Sequence, residues 1–132
     1  QGATNTFTVD DIDEISKRIV SVPTSEIEII KMGTAAAAGQ FIEGDVRYIR
    51  ITNKDNAYHV TLAFKGENDE EFAVKLDKGQ SFIYNADLAG GVVDTMVAAS
   101  GAVDVSSLVD LVSINAIADT AAVDVEIFIA ST

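Results

Sequence analysis

Apolar and polar positions alternate along most of the chain, and the period of that alternation changes once. Val9, Ile12, Ile15 and Ile19 recur at helical spacing. Thr8 stands where an N-cap belongs, Asp10 and Asp11 fall in the first turn, Lys17 and Arg18 in the last, and Pro23 lies beyond the end. This pattern predicts a short helix within an N-terminal arm, residues 1–23. After Pro23 the period becomes two. Strands are expected over residues 26–32 and 46–52, the second rich in β-branched and aromatic side chains. Tyr58, Val60, Leu62 and Phe64 alternate with His59, Thr61, Ala63 and Lys65, and Phe72, Val74 and Leu76 with Glu71, Ala73 and Lys75. Further strands are expected over 81–85, 92–98 and 111–118. In the last strand Val123, Val125, Ile127 and Ile129 alternate with Asp124, Glu126 and Phe128. Residues 105–111 suit a helical turn and a strand equally.

The turns are as telling as the strands. Asn53-Lys54-Asp55-Asn56, residues 66–70 and Asp77-Lys78-Gly79 are polar connections, and Asn and Asp cap their own backbone there. About eight strands with turns roughly every eight to twelve residues describe a mainly β chain. The expected fold is an antiparallel β-sandwich, jelly-roll or immunoglobulin-like, with one short N-terminal helix, as a single domain spanning 1–132. One stretch breaks the alternation: Ala35, Ala36, Ala37 and Ala38 lie between Gly33 and Gly39. Alanine favours helix, but the flanking glycines point to a loop or a small-residue contact surface.

Composition narrows the chemistry. The chain has 132 residues, long enough to bury a core without covalent or metal staples. It has no Cys, no Trp and a single His, so a thiol nucleophile, a disulfide framework and a two-histidine metal site are all excluded. A formal net charge of −12 repels a phosphate backbone and argues against nucleic acid as a partner. No apolar run reaches the length of a membrane span, so no membrane partner is expected. The chain starts Gln1-Gly2 with no initiator Met and no secretory pattern; a removed leader or an artificial remnant would explain it, and the remnant is preferred.

His59, in an alternating strand opposite Tyr58 and Val60, reads as a solvent-facing residue, and no nucleophile elbow accompanies it. Asp10, Asp11, Asp13 and Glu14 suit a helix N-terminus. Glu67, Asp69, Glu70 and Glu71 crowd one turn, without the order of a calcium-binding loop. Neither Gly90-Gly91 nor Gly39 and Gly44 are followed by the Lys-Ser/Thr of a phosphate loop. No catalytic constellation, cofactor site or metal site is expected, and the chain is read as a non-enzyme. The remaining candidates are surfaces: Val9, Ile12, Ile15 and Ile19 together with Ala35, Ala36, Ala37 and Ala38 are expected to meet another subunit.

Two stretches carry a resemblance. Residues 51–62 (Ile-Thr-Asn-Lys-Asp-Asn-Ala-Tyr-His-Val-Thr-Leu) and 74–82 (Val-Lys-Leu-Asp-Lys-Gly-Gln-Ser-Phe) resemble core hairpins of small β-sandwich virion proteins of tailed bacteriophages, of the capsid decoration, cement or neck–tail type. The likeness covers residues 45–85, and the N-terminal helix and the Ala-rich last third depart from it. It implies a non-enzymatic virion protein, located on the particle. Such a protein binds and stabilises the head shell through the major capsid or another virion protein and through copies of itself, for which a homotrimer is the natural symmetry. The alternative is a tail- or fibre-associated module binding sugar or a cell surface, using Tyr48, Tyr84 and the acidic turn 67–71, with calcium.

Overall fold

The computed structural model describes residue 6 and residues 12–87, 90–97 and 105–132. The strands are β1 (Glu14–Val22), β2 (Ile27–Gly33), β3 (Phe41–Ile42), β4 (Val46–Asn53), β5 (Val60–Gly66), β6 (Glu71–Leu76), β7 (Ser81–Asn85), β8 (Met96–Val97), β9 (Leu108–Val109), β10 (Leu111–Ala118) and β11 (Val123–Ser131). The chain is mainly β. One sheet has the order β1-β11-β4-β7 and a second the order β3-β2-β10-β5-β6, with β8 and β9 as a separate pair. All pairings are antiparallel except β2 with β3.

Alternation explains why two sheets form. Val123, Val125, Ile127 and Ile129 of β11 and Ile49 and Ile51 of β4 point to one side of the first sheet. Val60, Leu62 and Phe64 of β5, with Ile114, Ala116 and Ala118 of β10, point to one side of the second. These residues belong to a single buried cluster, so the two apolar faces share one core. Aromatic rings close the core between β6 and β7. Phe64 stacks on Phe72 at 4.6 Å between centroids, and Phe82 and Tyr84 lie at 4.9 and 5.9 Å.

The expected N-terminal helix is not formed. Residues 14–22 are a strand that pairs along its full length with β11, from Glu14 opposite Ser131 to Val22 opposite Val123. Ile15 and Ile19 are four apart, a spacing that satisfies the helical period and the strand period alike. Ile15, Ile19, Val20 and Val22 are β-branched, which tilts the balance to strand once a partner strand exists. Within the expected arm 1–23, residues 14–22 are therefore an edge strand, and residues 1–5 and 7–11, Val9 among them, lie outside the described residues. Arg18 ties this edge across the molecule by donating from Nη2 to the carbonyl of Ile29 on β2.

The strand expected at 92–98 shrinks to Met96–Val97. Gly91 and Asp94 both adopt positive φ, 67° and 52°, and the Val92 amide bonds the Glu43 carbonyl at 2.8 Å. A chain turning twice in four residues makes no ladder. The undecided segment 105–111 resolves into a 3-10 turn at Val105–Ser107 followed by β9 and the start of β10. The Asn53 turn forms as its residues predict. Asn53 is fully buried, accepts the Asp55 amide on Oδ1 and donates from Nδ2 to the carbonyls of Tyr58 and Leu76, each at 3.0 Å.

Candidate contact surface

The two sheets present different outer faces. On the second sheet the outer residues are mainly polar, with the exposed Ile117 among them opposite Thr61: Lys65 bonds Glu71 at 3.1 Å and lies 3.8 Å from Glu26. Glu71 is the main cause that holds the Lys65 ammonium above its ordinary range. On the first sheet the register brings apolar side chains together. Ile15 and Ile19 of β1 stand opposite Ala130 and Glu126 of β11, Phe128 stands opposite Arg50 of β4, and Arg50 opposite Ile83 of β7. Ile15, Ile19 and Ile83 are 65, 63 and 52 % exposed, the three most exposed large apolar side chains of the described residues, and all three share this face. Between them lies an ordered centre. The Arg50 guanidinium sits 5.0 Å from the Phe128 ring centroid, and Tyr48 meets Phe128 edge-on at 5.9 Å. Glu126 lies 3.7 Å from Arg50 and 3.9 Å from Lys17.

The candidate residues distribute as follows. Ile15 and Ile19 are on this face. Ile12 is half-buried and precedes β1, outside any regular element. Ala35, Ala36, Ala37 and Ala38 form an exposed loop, not a helix. Gly39 at φ 76° turns it back on itself, and Gln40 donates to the Ala35 carbonyl at 2.6 Å. Ala36 borders a cleft of about 320 Å³ with Glu14, Asp45 and Thr132, so the loop flanks the start of β1 at the end of the sandwich where β3 lies. Ile83 escaped the sequence reading. Its signal was present: Phe82, Ile83 and Tyr84 are consecutive apolar residues in one strand, so at least one must face outward.

Tyr48 and Tyr84 are not brought together. Tyr84 stands opposite Ile49 and stacks on Phe64 in the interior, whereas Tyr48 is on the outer face. His59 is half-buried in a shallow hollow of about 210 Å³ with Thr24, Thr61, Ile117 and Asp119, and does not face solvent freely. The acidic turn 67–71 is occupied with its own folding. Glu70 is buried, its Oε1 accepts the Asn68 amide at 2.9 Å, and Asp69 takes φ 68°. Among the described residues no three His, Asp or Glu side chains are grouped to hold a metal ion.

A second acidic group does form, from residues far apart in sequence. Glu43 is only 5 % exposed and its carboxyl meets that of Asp110, with Glu67 nearby. Burial first, then Asp110 and Glu67, push the Glu43 carboxyl up from 4.5 to about 7. Only one weak sequence signal marked it: Glu43 is the single charged residue between Lys31 and Asp45.

No family model matches the chain, and no curated protein matches it. Among solved structures, a chain of the Bacillus endospore appendages, described as a novel family of disulfide-linked pili, is similar at 10 % identity and a TM-score of 0.48, over 98 % of each chain.

Proposed function

We propose that this protein is a non-enzymatic structural subunit that associates with copies of itself through the outer face of the β1-β11-β4-β7 sheet. The observation behind this reading is the gathering of Ile15, Ile19 and Ile83 on one face, beside the ordered Tyr48–Phe128–Arg50 group. The apolar positions run out to both edges of the sheet, and the β7 edge is left open: β7 (Ser81–Asn85) has no charge and no proline, whereas β1 carries Glu14, Lys17 and Arg18. A second copy is the occupant that offers the same open β7 edge and the same apolar face. With no Cys in the chain, such an assembly is held without disulfide links.

Setting aside the two-residue β3, the sheet orders are β1-β11-β4-β7 and β2-β10-β5-β6. Two Greek keys wound about one core produce these orders, so we read the fold as a jelly-roll sandwich. Within the structural class, the resemblance over residues 45–85 favours a decoration or cement subunit of a virion shell. Sedimentation of the purified chain over a concentration series tests the reading. The wild type is expected to self-associate, and Ile19→Lys and Ile83→Lys to shift it toward monomer with unchanged melting. A wild type that stays monomeric throughout, and fails to bind any assembled shell, would overturn it.

A further inference from the structure

We infer that Glu43 and Asp110 form a proton-operated clasp that holds one end of the molecule closed when Glu43 is protonated and loosens it when Glu43 ionises. Four separate segments meet at this pair. Glu43 lies in the turn between β3 and β4, and its own amide bonds the Gly33 carbonyl at 2.9 Å. The Glu43 carbonyl accepts the Val92 amide at 2.8 Å, and the Val92 carbonyl in turn accepts the Leu111 amide at 3.1 Å. Asp110 accepts the Asp94 amide on Oδ1 at 3.0 Å, while its own carbonyl accepts the Glu67 amide at 3.1 Å. The segments around 43, 67, 92–94 and 110 are thus laced to one another through the two acidic residues.

The fit is close enough that the closed form has little freedom. A Cβ on Gly91 would stand 2.4 Å from the Glu43 carbonyl oxygen, so the 91–94 loop lies directly on the Glu43 backbone. The groups facing Glu43 are Asp110 and Glu67, both acidic. Arg47 is close in sequence, but its Nη1 is spent on the Gly44 carbonyl at 2.6 Å. The Asp94 amide bonds Asp110 Oδ1 at 3.0 Å, while burial disfavours charge on the Glu43 carboxyl. The shared proton therefore sits on Glu43 and is donated to Asp110. Removing it leaves the buried Glu43 carboxylate against the half-buried carboxylate of Asp110, with Glu67 adding to the repulsion.

Amide hydrogen exchange on the full chain at about pH 5.5 and about pH 8.5, corrected for intrinsic rates, tests the clasp. The amides of Glu43, Val92, Asp94 and Leu111 are expected to lose protection by about tenfold or more at the higher pH, while far-UV circular dichroism stays native. Glu43→Gln, which keeps a donor toward Asp110, is expected to abolish that dependence. Asp110→Asn keeps an acceptor for the Asp94 amide and leaves Glu43 buried, so it is expected to reduce the dependence, and the test survives if one variant fails to fold. Equal protection at both pH values, or an undiminished dependence in the folded variants, would overturn the clasp.

Discussion

Two buried polar residues, Asn53 and Glu43, show how differently a polar side chain can sit in an apolar interior. Asn53 uses both ends of its amide: one acceptor contact to the Asp55 amide and two donor contacts, to the carbonyl of Tyr58 in the connection before β5 and to that of Leu76 at the end of β6. Asn53→Ala leaves those partners unpaired in a buried site and is expected to cost about 2–4 kcal/mol in urea unfolding. Asn53→Asp removes both donors and sets a carboxylate against two carbonyls, so it should destabilise at least as much at neutral pH and recover in acid. Glu43 is the reverse case, a group whose surroundings oppose its charge. Its native value of about 7 lies above 4.5, so the native state holds the proton more tightly than the unfolded chain does. The resulting stability is complete below about pH 4.5 and is lost as pH rises to about 7, a difference of about 3 kcal/mol. Glu43→Gln should therefore melt higher than wild type at about pH 8 and nearly with it at about pH 4. Asp55, held below its ordinary range first by the Tyr58 amide and then by that of Ala57, works in the opposite sense, losing its contribution as pH falls.

At the level of elements, Phe64 decides how β5, β6 and β7 are held together. It is fully buried and touches rings from both sheets, whereas its stacking partner Phe72 is 41 % exposed at the margin. Phe64→Ala is expected to cost about 3–5 kcal/mol and Phe72→Ala markedly less, measured by chemical denaturation of both variants. This arrangement was legible from the sequence, because strict alternation through residues 60–64 and 72–76 assigns those side chains to one face. The Asn53 turn was legible for the same local reason. β1 was not, because a four-residue spacing between Ile15 and Ile19 is common to both periods and only pairing with β11, more than a hundred residues away in the chain, selects between them. The loop at 91–94 was misread because Val92 and Val93 look like strand residues, while its path is fixed by hydrogen bonds to Glu43 and Asp110. The acidic clasp, built from four distant segments, leaves no local pattern at all. The contact face was half visible: Ile15 and Ile19 were singled out under the wrong geometry, and Ile83 was hidden among inward-facing aromatic neighbours.

For the whole molecule, the decisive balance is between an apolar face that favours contact and a net charge of −12 that opposes it. Two copies approaching through the first sheet bring together like-charged bodies. The cations of that face, Lys17 and Arg50, already lie beside Glu126 and offer little attraction to a partner. The contact energy must then come from burial of Ile15, Ile19 and Ile83 with the aromatic centre, at about 25 cal/mol per Å² of apolar surface. Salt separates this case from an interface held by ion pairs. At about 0.15 M ionic strength the screening length is about 8 Å, so added salt weakens the long-range repulsion and leaves apolar burial intact. Self-association should therefore strengthen as ionic strength rises, and sedimentation at low and high salt would show larger species in the second. Ile19→Lys should lose most of that response, since it removes apolar area from the face and sets a solvated ammonium opposite Glu126 in its place. Association that weakens with salt would instead place the contact on charged groups, and the outer face of the first sheet would not be the surface through which copies meet.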